Sequence, residues 1–244
     1  MKITLGTGTF LCANTGCTPS ASITGLYPVV GWRFKNELVY VLEGSSNDTG
    51  SLINWAVNIG LMDDPKESGE LVTSVSNNDG VYFVPAFSGL QTPVNDVKAG
   101  SGFIGVKPTT KKEHLLRSIL ESIVFRVVQL YRVYIDESCY SPASVRVDGG
   151  VSKNDFVIQL LADLIGLPVE RPKTTEVSAI GAAYLAGLSI GFWACKDELL
   201  SLNKVDQIFI PNAENSNPYM KIYLNWAEAV KRFCGWYNNE KSTS

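Results

Sequence analysis

Two glycine-centred segments, near opposite ends of the chain, hold the residues best suited to chemistry. Gly6-Thr7-Gly8 follows a short apolar run at 3–5 and precedes Phe10. Between two strands this spacing makes a turn with exposed amides and one hydroxyl. Such a turn can hold the β- and γ-phosphates of a nucleotide. A plain hairpin would use the same residues, and no Gly-Lys-Ser/Thr follows as in a Walker loop. Asp148-Gly149-Gly150 closes a second strand, Val145-Arg146-Val147, and leads into a helical pattern. Its glycines let the backbone lie against a flat or anionic ligand, and the helix N-terminus behind them favours phosphate. Asn154 opens that helix, as its N-cap, as a ligand contact, or as both.

Other polar residues have simpler readings. His114 sits in the first turn of a helix and is expected in solvent, and Lys111 and Lys112 are a charged helix start. Asp63-Asp64 belongs to a solvated loop rather than a metal pair. Asp96 lies in a Gly/Pro-rich loop that could reach a cleft. The five tryptophans are packing residues. Five scattered cysteines (Cys12, Cys17, Cys139, Cys195, Cys234) have no zinc spacing and read as free thiols in a reducing, cytoplasmic compartment.

Those residues need a scaffold. Short apolar runs at 3–5, 10–13, 27–30 and 39–42, separated by Gly, Pro and Asn, predict a meander of strands. A helix follows Asp48-Thr49-Gly50 with Leu52, Ile53, Trp55, Ala56 and Ile59 at helical spacing. A polar stretch at 63–69 leads to a second helix ending in Asn77-Asn78-Asp79-Gly80, then to a strand at 81–84. Residues 86–108 are irregular. Apolar positions from 115 to 134 fall on one face of a long helix, with Thr109 or Thr110 as N-cap. After the second glycine turn come a helix over 155–165 closed by Gly166, a strand at 167–170, a helix over 177–190 capped by Thr175, and an amphipathic helix over 218–236. Strands first, then strands alternating with helices, indicate an α/β domain with a mixed sheet flanked by helices.

Length and charge bound the rest. A chain of 244 residues, 45% apolar and 18% charged, buries a substantial core. Its net charge of −3 gives no electrostatic case for nucleic acid or an anionic membrane. Residues 177–195 carry no charge and include Gly187-x-x-x-Gly191, yet Ala, Gly, Ser178, Ser189 and Tyr184 dominate the run. That composition suits close packing inside a protein, so no membrane span is expected. Met1 opens directly onto a strand, as a domain cut from a longer chain would.

Several separated motifs resemble the glycerol kinases of the FGGY carbohydrate-kinase family, the divergent animal branch above all. They are residues 2–10 with Asn14-Thr15-Gly16, Val84-Pro85-Ala86-Phe87-Ser88-Gly89-Leu90, Arg146-Val147-Asp148-Gly149-Gly150, Val169-Glu170-Arg171-Pro172 and Gly181-Ala182-Ala183-Tyr184-Leu185-Ala186-Gly187-Leu188. The family's C-terminal signature is met by Ser101-Gly102-Phe103-Ile104-Gly105-Val106, followed after seven intervening residues by His114-Leu115 and then Ser118-Ile119-Leu120-Glu121. The chain departs from the pattern in two places. Val94-Asn95 stands where Tyr-Trp usually precedes Asp96, and Asn54 where many members have Gln.

The resemblance implies an actin-like, ribonuclease-H-like fold. It implies that residues 1–240 form the C-terminal nucleotide-binding domain, with the N-terminal FGGY domain absent. Gly6, Thr7, Gly8, Gly50, Asn54, Gly149, Gly150 and Asn154 would contact ATP or ADP, and Phe10 would face the substrate cleft. ATP and Mg²⁺ are the implied cofactors. Glycerol or a related polyol would be held through the missing half, which also supplies the general base. No residue here matches that base, so this chain alone is expected to be inactive. A kinase for another polyol or sugar, and a non-catalytic nucleotide-binding or interaction module, are the alternatives. A homo-oligomer is compatible with each.

Overall fold

The computed structural model describes residues 1–138 and 141–239. Apolar alternation builds the first strands. β1 (Lys2–Leu5) and β2 (Thr9–Gly16) turn Ile3, Leu5, Leu11 and Ala13 inward. β3 (Tyr27–Phe34) and β4 (Glu37–Ser46) extend the meander, so both run longer than their apolar cores predict. β7 (Val145–Asp148), β8 (Val169–Pro172) and β9 (Val205–Phe209) complete a seven-stranded sheet of order β3-β4-β2-β1-β7-β8-β9. β1, β7 and β8 are parallel at its centre, and the flanking pairings are antiparallel. β5 (Tyr82–Val84) pairs with β6 (Gly102–Ile104) in a separate ribbon.

The helices are α1 (Gly50–Asn58), α2 (Ser68–Thr73), α3 (Lys112–Ser138), α4 (Asp155–Ile165), α5 (Val177–Ser189), α6 (Asp197–Leu200) and α7 (Ala213–Phe233). α3 and α4 join the inward faces of β1, β2, β7 and β8 in one core. α5 reaches the opposite face, where Lys2 Nζ bonds Ser178 Oγ at 3.1 Å.

α3 departs from its expected single apolar face. Arg117, Ser118, Glu121, Ser122, Arg126 and Gln129 are buried along with its apolar residues. A second layer, which includes α2 and α7, covers the polar side. Arg117 donates to the carbonyls of Val72 and Val75 and to the Tyr219 hydroxyl. Arg126 donates to the carbonyls of Gln91 and Thr92 at 3.1 Å each.

Local chemistry also corrects several expected boundaries. Thr109 and Thr110 do not cap α3. Both hydroxyls bond the Asp79 carboxylate at 3.2 Å, and His114 Nδ1 accepts the Lys111 N–H instead. α5 is preceded by Glu176 with no side-chain cap, so Thr175 does not cap it. α2 ends at Thr73, well short of the Asn-Asn-Asp-Gly turn. α7 starts at Ala213 behind the Asn212 cap and carries Pro218 inside it. β6, α6 and β9 were not expected.

The glycine pair at 187 and 191 has a packing explanation. A Cβ at Gly187 would fall inside the Trp193 ring, and Gly191 has φ +77°. Among the described residues no helix is long and apolar enough to cross a membrane. Cys12, Cys17, Cys195 and Cys234 are free, while Cys139 lies outside the described residues.

Candidate functional site

The first glycine turn is built by close approach. The N–H groups of Thr49 and Gly50 donate to the carbonyls of Thr7 and Gly6 at 3.0 and 2.9 Å, seating the start of α1 on the turn. A Cβ at Gly50 would lie 2.7 Å from the Gly6 oxygen, so no side chain fits there. Gly8 is constrained from behind, where a Cβ would meet the Ser46 and Asn47 oxygens at 2.9 and 3.0 Å. The buried hydroxyls of Thr9 and Thr49 bond at 2.7 Å. Asp48 accepts the Ser88 N–H at 2.8 Å and fixes the irregular segment against this corner.

The second turn leans on the first. Gly149 has φ +91°, and a Cβ there would lie 2.5 Å from the Leu5 oxygen. Gly150 differs, because a Cβ there meets nothing within 4 Å. Ser152 Oγ donates to the Gly149 carbonyl at 2.6 Å. Asn154 Oδ1 caps α4 by accepting the Val157 N–H at 3.2 Å, while its Nδ2 donates to Ser68 Oγ at 2.8 Å. One side chain therefore closes a helix and ties α4 to α2.

Between these parts lies a cleft of about 700 Å³. Gly6, Thr7, Gly50, Asn54, Gly150 and Asn154 all line it, drawn from three separate segments of the chain. Gly8 and Gly149 stand outside the lining and shape the turns from behind. Phe10 is also outside it, 42% exposed on β2. Asp96 is not in the cleft. Its carboxylate accepts the Lys98 and Gly235 N–H groups at 2.8 and 2.6 Å, which hold its pKa below the usual carboxylate range. Asp148 is buried against Lys2 at 3.2 Å, away from the cleft.

The cleft also holds residues beyond those the motifs marked as site residues. Ile53, Pro65, Leu120 and Val151 supply apolar walls, and Lys66, Lys153 and Asp155 supply charge. Ile53, Lys153 and Asp155 are sequence neighbours of Asn54 and Asn154, so adjacency was the available signal. Pro65 and Lys66 come from the polar loop, and Leu120 from a helix read as core. Only packing brings them here. Apolar walls around a heterocycle, amide-lined turns and two lysines suit an anion with a flat ring. Among the described residues no three His, Cys, Asp or Glu side chains gather as a metal site.

Asn154→Ala should remove both the cap and the Ser68 link. A cap is worth about 1 kcal/mol, so the melting temperature should fall by roughly 2–4 °C. Asn154→Asp keeps the acceptor and should lose less. Thermal melts of the two variants check this.

Comparison with known proteins places the chain. Residues 1–190 match the model of the FGGY family of carbohydrate kinases, C-terminal domain. The chain is 46% identical over 243 residues to glycerol kinase 5 of Danio rerio, covering 98% of this chain and 46% of that protein. It is 40% identical to glycerol kinase 2 of Thermotoga maritima, covering 97% of this chain and 48% of the relative. The crystal structure of Plasmodium falciparum glycerol kinase with ADP superposes with a TM-score of 0.86 at 33% identity, over 95% of this chain and 46% of that one. The chain thus spans about half the length of the relatives it matches. Its mixed sheet flanked by helices is the actin-like, ribonuclease-H-like fold of these sugar kinases. By the family match over residues 1–190 and by these identities, the chain belongs to the FGGY family of carbohydrate kinases.

Proposed function

We propose that residues 1–240 are the ATP-binding half of a cytoplasmic glycerol kinase. The complete enzyme would transfer the γ-phosphoryl of ATP to glycerol and give glycerol 3-phosphate. One observation carries the reading. Gly6, Thr7, Gly50, Asn54, Gly150 and Asn154, separated in sequence, share one cleft in a chain 46% identical to a glycerol kinase.

Each part has a task in this reading. Ile53, Pro65, Leu120 and Val151 hold the base. Gly150 leaves the backbone bare for close approach of the ribose and phosphates, and the Gly6–Thr7 turn receives the terminal phosphates. Lys66 and Lys153 offset phosphate charge at the rim. Phosphoryl transfer is mostly positioning and charge stabilisation, so such a half supplies much of the machinery. Mg²⁺ would accompany ATP as its counter-ion. Its ligands would be chiefly the nucleotide's phosphates and water. The general base and the polyol site belong to the N-terminal half, with Phe10 facing the acceptor between the two.

The test is calorimetric titration of this chain with ADP, beside an assay of glycerol-dependent ADP production. Saturable ADP binding without turnover is expected. Joining the chain to an N-terminal FGGY half should then give turnover with glycerol. A folded chain that takes up no ADP sinks the nucleotide reading. A joined enzyme that phosphorylates xylulose or gluconate but not glycerol sinks the acceptor alone.

A further inference from the structure

The inner wall of the cleft is a short turn at residues 150–155, and its outer side rests on one guanidinium. Arg171, at the end of β8, is 13% exposed and lines no part of the cleft. Its Nη1 donates to the Ser152 carbonyl at 3.1 Å and to Asp155 Oδ1 at 2.6 Å. Its Nη2 donates to Gln207 Oε1 at 2.9 Å and reaches Asp206 Oδ2 at 3.5 Å, both on β9. The guanidinium lies 5.2 Å over the Phe209 ring. One planar fork thus joins the turn to the edge strand of the sheet.

We infer that Arg171 is a positioning residue for the nucleotide, acting through the 150–155 turn. The inference rests on the nucleotide reading above. Ser152 is fully buried and bonded to Gly149 from inside the turn. Arg171 takes the Ser152 carbonyl from the other side, so the turn is fixed between the two. The same fork holds the carboxylate of Asp155, a cleft-lining acid that would otherwise swing freely beside incoming phosphates. Asp155 is 64% exposed, so solvent screens its charge and geometry is the larger effect. Lysine cannot replace the fork. A single ammonium does not reach the turn and β9 together with the same geometry.

The experiment compares wild type, Arg171→Ala and Arg171→Lys by amide hydrogen exchange and by ADP titration. Both variants should exchange faster in the 150–155 peptide while the β1–β2 peptides keep their protection. Both should bind ADP about tenfold more weakly, near 1.4 kcal/mol, with Arg171→Lys no better than halfway to wild type. Unchanged exchange at 150–155 together with unchanged ADP affinity overturns the inference. So does full rescue by lysine, which would leave charge alone as the cause. Should Arg171→Ala lose protection everywhere, Arg171→Lys decides by the same two readouts. Failure of wild type to bind ADP overturns the nucleotide reading instead, and the exchange comparison then decides whether Arg171 holds the turn.

Discussion

A Gly150→Val chain is expected to melt with the wild type yet bind ADP at least tenfold more weakly, while Gly149→Val loses thermal stability. The two glycines are adjacent, and their surroundings are opposite. A Cβ at Gly150 meets no protein atom within 4 Å, and the position lines the cleft. Valine there fits the protein and occupies ligand space, so the loss falls on affinity, about 1.4 kcal/mol or more. A Cβ at Gly149 would press on the Leu5 oxygen at 2.5 Å, with φ at +91°. Left-handed strain costs about 1–3 kcal/mol, and forced overpacking costs about as much again. The melting temperature of Gly149→Val should fall by roughly 5–15 °C. Paired melts and ADP titrations check both. Equal affinity in a folded Gly150→Val chain would remove that residue from the site.

The second large effect concerns the ion pair under α2. Arg117 Nε bonds Glu121 Oε1 at 3.0 Å, and Asn78 Nδ2 bonds Oε2 at 2.8 Å. The guanidinium lies 5.1 Å over the Phe156 ring and holds the carbonyls at the end of α2. Burial pushes the Glu121 carboxyl up to about 7 even with Arg117 beside it. Arg117→Met keeps much of the packing but leaves Glu121 and the Val72 and Val75 carbonyls without their buried donor, which costs about 3–5 kcal/mol.

The pH dependence has a definite sign. A carboxyl whose folded pKa is raised binds more protons in the folded state. The stability it contributes is complete below its ordinary value of 4.5 and is lost as pH rises through about 7. Wild type should therefore lose stability across that window, Glu121→Gln should show a shallower loss, and Arg117→Met a steeper one. Melting curves from about pH 5 to 8 read this out. An Arg117→Met chain no more pH-sensitive than wild type would mean that Glu121 is not held charged by Arg117.

The sequence by itself determined the strands of the meander, the two turns, the long helix and the Asn154 cap. Their signals are local. Alternation fixes which face of a strand is apolar, and an Asn ahead of an apolar helix accepts its own backbone N–H. The family motifs, spread along the chain, were legible for the same reason. Tertiary structure decided which side of each turn is bare. Gly8 and Gly149 are glycines because other strands crowd them from behind, and Gly150 stands free. A local pattern carries no signal for a neighbour distant along the chain. It also could not show that the polar face of α3 is covered, since the layer over Arg117 and Arg126 comes from α2, α7 and the 91–92 segment. Lys66 and Leu120 joined the cleft, and β9 took its edge position under Arg171, through packing that follows from burying both faces of a sheet rather than from any single segment's pattern.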